Sequence, residues 1–427
     1  MRTVLPLATI TAASMLTMDL YLPAVPTMQL DLGITVAQGQ LTIAIFLLGL
    51  AASQLVWGEL LHRIGPRRCV QTGLLALILT SFGCALAPDL TMLLGLRLVQ
   101  GIAAGAATVV VPTVVRATLP EQDGVRGIAA IAMIEAIVPA AGPVLGTALL
   151  LIADWRTTFA IIGVIALASA PFALRATPVA LPSQEDVDGD EDGDEDGDKD
   201  GDKDGDKGGD KGGGEGGRVG YRALLRNWHF VGLALAHALS FGALITFVAS
   251  APQVLPALAN TGQSGFALAQ VCGVAGFIVA ASQAGRISNR LGPRHAIQLG
   301  ALLHGLLCTA LLAAWWADRL SYPWLLAFWT AFCAVLGIRG PTAFSEALSV
   351  PTAQLGRASA LMVLALLAVG ALATQATAPF LPGGQLGAVA LSMSLLCWAS
   401  CALVARYPDK QASVRARQRP EQEQARL

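Results

Sequence analysis

The sequence predicts an all-α integral membrane protein: twelve transmembrane helices in two pseudo-symmetric six-helix bundles. Three observations carry that prediction. Apolar residues fill 54% of the 427 positions and charged residues only 13%, about half the charged share of a soluble globular domain; mean hydropathy is +0.61. The apolar residues gather in runs long enough to cross a hydrocarbon core about 30 Å thick. Finally, GELLHRIGPRRCVQTG at 58–73 and GRISNRLGPRHAIQLG at 285–300 share Gly, Arg, Gly-Pro-Arg, Gln and Gly in register, 227 positions apart. The chain is therefore two copies of one plan.

The first run, near 4–27, lacks a convincing cleavage site and holds an acid, Asp19, so it reads as a span and not as a removable signal. Runs near 38–60, 69–87, 90–112, 126–150 and 156–175 complete the first six. A second six lie near 227–250, 264–287, 294–316, 322–345, 357–379 and 384–405. Lipid offers no partner to a free backbone N–H or C=O, so every run must be helical. The expected organisation is a bundle over 1–175, a linker over 176–222, a second bundle over 223–406 and a tail over 407–427.

Ser183 to Gly217 is a near-repeat of Asp-Gly-Asp-Lys with Val187 as its one apolar side chain, too little to build a core, and it reads as a disordered cytoplasmic tether. Asp188, Asp190, Asp192 and Gly193 open like a calcium loop, yet the twelfth position is Lys199 where Glu is required and no helices flank it. No metal site is expected. The seven cysteines have no metal spacing and read as small packing or lipid-facing residues.

Basic residues set the orientation. Turns after even-numbered spans carry Arg63, Arg67 and Arg68, then Arg116 and Arg126, then Arg290 and Arg294, then Arg357, whereas the odd turns offer only Arg156 and Arg319. Positive charge favours the cytoplasmic side, so the even turns and both termini are expected there, in the cytoplasmic membrane of the cell.

Ionisable groups inside a span are costly enough to be functional candidates. Asp19 in the first span and Arg97 in the fourth both fall about 10–12 Å in from the outer mouth at 1.5 Å per residue, so a pair is possible. A carboxylate whose Arg partner can be displaced couples to protons; the bland alternative is a structural ion pair. Glu135 falls near the midplane, where polar sites are usually built; it holds a proton or a cationic substrate, or is a protonated packing residue. Arg339 and Glu346 lie seven apart and read as a structural pair. His237 and His304 read as packing residues. In the fifth span, Pro139, Gly142, Pro143 and Gly146 allow close helix contact and local distortion.

These residues resemble the major facilitator superfamily, and within it the twelve-span drug/proton antiporters of the Bcr/CmlA kind. MDLYLPAVPTM (Met18–Met28) looks like that subgroup's first-span signature. GELLHRIGPRR (58–68) resembles the superfamily's turn motif, with Gly58, Arg63, Gly65 and Arg67 at its Gly and Arg positions, echoed by Gly285, Arg290, Gly292 and Arg294. LRLVQGIAAGA places the family's arginine on Arg97, AGPVLG is similar to the fifth-helix antiporter motif, and DWRTTFAI resembles the start of the sixth helix. The resemblance implies two six-helix bundles around a central cavity, alternating access, and proton-coupled export of small drug-like or antibiotic molecules. Asp19 and Arg97 would then serve proton coupling and substrate binding. Protons, a small-molecule substrate and the bilayer are the partners implied, for a monomer that uses a proton gradient in place of any cofactor. One departure is His62 where the family has Asp, with Asn289 at the echo; the latch that this acid forms is either weakened or dependent on His62 protonation. A nutrient importer and a non-transporting membrane sensor stand as alternatives. An enzyme is excluded, since no nucleophile with its base, metal cluster or phosphate loop is present, and nothing points to nucleic acid.

Overall fold

The computed structural model describes residues 4–119, 121–180, 221–259, 263–351, 354–382 and 385–405. Most of the acidic linker, with its calcium-like loop, and the C-terminal tail lie outside the described residues. The first span is α1 (Val4–Asp19), a 3-10 turn (Leu22–Ala24) and α2 (Val25–Leu32). Spans two to six are α3 (Val36–Ile64), α4 (Pro66–Leu86), α5 (Leu90–Thr118), α6 (Glu121–Leu149) and α7 (Trp155–Ala176). A short α8 (Tyr221–Arg226) precedes spans seven to twelve: α9 (Trp228–Ala259), α10 (Gln263–Leu291), α11 (Pro293–Trp316), α12 (Tyr322–Ala347), α13 (Leu355–Thr377) and α14 (Leu386–Ala405). Among the described residues there is no strand, and 11 helices are long and apolar enough to cross a membrane. The twelfth, α6, is helical over 29 residues, but its wholly apolar part is Ile137–Leu149, because Glu121, Asp123, Arg126 and Glu135 occupy its first half.

Two boundaries depart from expectation. Tyr221 and Arg222, expected within the disordered linker, begin α8, whose Leu224 is buried against Phe230, Ala358 and Met362. The first span, expected to end near Pro26, runs on to Gly33 after a break. Pro23 and Pro26 each take an early position of a new turn, where a missing N–H costs nothing, so the chain tightens and resumes without stopping. The Tyr21 hydroxyl, 2.7 Å from Thr42 Oγ1, pins that break onto α3.

Helix starts follow local chemistry. Thr35 and Gln38 form a capping box on α3, and Asp89, Asp154 and Ser321 each accept an N–H in the first turn of α5, α7 and α12; each cap is worth about 1 kcal/mol. The duplicated turns end α3 and α10 at Gly65 (φ +79°) and Gly292 (φ +81°), a left-handed backbone that side chains resist. We call the side bearing these turns the arginine-turn end, and the side bearing the caps the opposite end.

Packing repeats between the halves. The pairs α3 with α5, α4 with α7, α1 with α6 and α1 with α7 recur as α10 with α12, α11 with α14, α9 with α13 and α9 with α14, while α3 with α13 and α6 with α10 join the halves. The largest apolar cluster runs through both halves, from Tyr21 and Met28 to Val254 and Leu381. Near the arginine-turn end the smaller clusters each stay within one half. The halves therefore meet at the opposite end and part at the arginine-turn end. Gln40 Nε2 donates to Ala249 O across that meeting place at 3.0 Å.

Candidate functional site

A cavity of about 440 Å³ lies between the halves, walled by spans one, two, four and five on one side and seven, eight, ten and eleven on the other. Its lining is overwhelmingly apolar. Among the described residues, Asp19 and Glu135 are its two carboxyl groups, and no Arg, Lys or His lines it. Pro139, one turn beyond Glu135, also faces it.

Asp19 ends α1, where the break in the first span leaves it at the cavity wall with 8% of its surface exposed. The antiporter-like motif of α6 is what packs it there. A Cβ on Gly142 would sit 2.5 Å from the Asp19 Cβ, and one on Gly146 only 2.4 Å from Leu20 O, so two glycines let α6 touch the first span at the acid. Pro143 is buried between them. The sequence foresaw close helix contact here; the structure identifies the partner.

Arg97 does not pair with Asp19: among the described residues no ion pair joins them. Its Nη1 donates to Thr17 O at 3.0 Å and to Gln100 Oε1 at 2.7 Å, and its guanidinium lies 4.7 Å from the Tyr21 ring centroid and 4.2 Å from that of Phe46. Gln100 in turn donates to Ser81 Oγ at 2.9 Å. The two lie at similar depth, since Arg97 reaches Thr17 O and the Tyr21 ring on either side of Asp19; they stay apart because Asp19 lies at the cavity wall, whereas Arg97 is not among the lining residues and packs on the Tyr21 and Phe46 rings. Arg97 is fully buried, lacing the first, second and fourth spans together behind the cavity wall.

Arg339 likewise departs from expectation. Its donors go to Ser240 Oγ, to Ala236 O at 3.3 Å and to Ser400 Oγ at 2.7 Å, tying the tenth span to the seventh and twelfth. Glu346, two turns along the helix, is not its partner. His304 stacks on Phe332 at 4.4 Å and His237 meets Phe344 edge-on at 6.3 Å.

In the turns, Arg63 pairs with Glu59 at 2.8 Å on the surface, Arg290 is exposed, and Arg67 and Arg294 are half-buried. A Cβ on Gly58 or Gly285 would meet nothing within 4 Å. Gly65 faces Val179 O, 2.7 Å from where its Cβ would stand, so the start of the linker passes beneath the first turn. The His62 side chain lies outside the described residues.

Sequence reasoning did not single out Gln270, Trp329, Phe46, Phe241 and Phe277, which also line the cavity. An aromatic in an apolar helix reads the same whether it faces a neighbour, lipid or a cavity; Gln270, polar within an apolar run, was the one available signal.

The sequence matches the profile of the Major Facilitator Superfamily over residues 7–374. A chloramphenicol resistance protein of Pseudomonas aeruginosa is 37% identical over 179 residues, 41% of this chain and 42% of that protein. The multidrug resistance protein MdtL of Escherichia coli is 32% identical over 171 residues, 39% of this chain and 44% of that protein. The chain thus matches under half the length of these curated relatives. In three dimensions it superposes on the Escherichia coli xylose transporter XylE in its inward-open conformation with a TM-score of 0.71 at 13% identity, covering 96% and 97% of the two chains. A bacterial homologue of the human lysosomal transporter Spinster gives 0.66 at 15% identity, over 95% and 94%.

Proposed function

The chain belongs to the major facilitator superfamily, and from that premise we propose that this multi-pass membrane transporter exports small drug-like molecules in exchange for protons. The observation that carries the reading is the two-carboxyl cavity: an apolar chamber between the halves whose ionisable groups, among the described residues, are Asp19 and Glu135. An apolar wall of this size suits a small lipophilic compound. Acids without a basic neighbour at membrane depth are expensive to leave charged, so proton or substrate occupancy changes the cost of closing the chamber. That is the coupling an exchanger needs. The names of the relatives, chloramphenicol resistance and multidrug resistance, support the same reading, as does the contact of Gly142 and Gly146 with the acid-bearing span.

Alternating access then runs between the present arrangement, parted at the arginine-turn end, and one parted at the opposite end. With the arginine-rich turns in the cytoplasm, this arrangement is the inward-facing one. The protein works as a monomer, and the proton gradient is its energy source. Everted vesicles with an acidified lumen test the reading: each of several drugs should release luminal protons on addition. Drug transport that proceeds without proton movement would remove the coupling.

A further inference from the structure

Resting on the export reading above, we propose that the cavity takes lipophilic dications, with one positively charged nitrogen at Asp19 and a second, about 10 Å away, at Glu135. The spacing follows from the packing of the fifth span. Gly142 lies against Asp19, and Glu135 stands seven residues earlier on the same helix, two turns or about 10 Å along its axis. Both acids line one cavity, so a single elongated molecule reaches both.

The rest of the wall has matching chemistry. Among the described residues no Arg, Lys or His lines the cavity to neutralise either acid, and two carboxylates without a basic neighbour in a chamber surrounded by lipid are costly. A dication removes both costs at once; a monocation removes one and leaves the other to a proton. On the facing half, Gln270 is only 4% exposed and lines the cavity, and its Oε1 accepts no hydrogen bond. An unpartnered acceptor offers a third negative dipole to a bound cation. Phe241, Phe277 and Trp329 line the cavity from the second half, and ring faces attract quaternary ammonium groups. The volume of about 440 Å³ falls within the range that holds drug-sized ligands.

The test uses the full chain in proteoliposomes under an imposed pH gradient. The probes are α,ω-bis(trimethylammonium)alkanes of increasing spacer length, with tetraphenylphosphonium as a monocation and a neutral drug for comparison. Transport of the dications by the wild-type protein should peak at a nitrogen spacing of about 10 Å. Glu135→Gln should lower that peak about tenfold more than it lowers tetraphenylphosphonium transport, the loss of one charge contact, and Glu135→Asp should restore part of it. Dication transport that is absent, or indifferent to spacer length, overturns the proposal from the wild-type protein alone, whatever the variant does to folding. Equal losses for both cations in Glu135→Gln also overturn it. If the neutral drug and the monocation move with the pH gradient while dications do not, the export reading stands and only the dication inference falls. If none of the three moves, both fall together.

Discussion

Asp19 is held where a backbone break, a helix contact and a cavity coincide, and each of these can be perturbed separately. Replacing the acid by Asn keeps the shape and removes the titratable group, so Asp19→Asn should abolish proton-driven efflux while membrane expression stays near normal; unchanged drug resistance in cells would count against its role. The helix contact is steric. Gly146→Val would place a side chain 2.4 Å from Leu20 O, and overpacking of this kind costs about 1–3 kcal/mol, so the detergent-solubilised variant should melt several degrees lower. Arg97 makes a third case. Arg97→Met keeps most of the apolar stem and loses the bonds to Thr17 O and Gln100, each charge-assisted bond being worth about 1.5–3 kcal/mol. It should therefore lose stability as well as transport, whereas Asp19→Asn should lose transport alone. That these groups were candidates was legible in the sequence, because a charge inside an apolar run is conspicuous. That Arg97 donates to the backbone carbonyls of Thr17 and Thr42 was not, since partners on other helices depend on rotation that one residue pattern does not fix.

At the scale of the helix, the spans themselves were readable from apolar run lengths, while the side chains that cap four of their starts, Thr35, Asp89, Asp154 and Ser321, emerge from the structure. The broken first span was less so. MDLYLPAVPTM contains both prolines, but a proline stops a helix only where its missing N–H is needed; here each falls early in a new turn and the span continues to Leu32. Helix pairing decides how the two halves close. Gln40, in the first turns of α3, donates across to Ala249 in the second half of α9, while its own Oε1 and the nearby Ser250 Oγ are buried without partners. Opening this end hydrates both of those atoms and breaks one bond. Gln40→Ala removes the bond, worth about 1 kcal/mol net, together with the unpartnered Oε1, whose burial costs about 1–3 kcal/mol, so the state closed at this end should gain. Thiol labelling of a cysteine placed at Ser250 should then slow; a faster rate would mean that the bond outweighs the unpartnered oxygen.

For the whole molecule, the internal repeat of the sequence becomes a repeat of contacts: the helix pairs of one half recur in the other, and α3 with α13 mirrors α6 with α10 at the seam. Sidedness belongs to this scale, because it depends on the summed placement of arginines and not on any one of them. An Arg68→Cys variant should resist a membrane-impermeant maleimide in intact cells and react after lysis, and Ile152→Cys should behave the other way round; the reverse pattern would invert the assignment of the arginine-turn end to the cytoplasm. The sequence by itself determined that the chain is a membrane protein of helical spans in two related halves, because lipid dictates helix, span length and the exclusion of charge one segment at a time. Only the tertiary structure decided that Asp19 shares a cavity with Glu135 and not an ion pair with Arg97, and that glycines of the fifth span press against the acid. Those facts depend on how far each helix slides and turns against its neighbours, which is set by packing among many side chains at once.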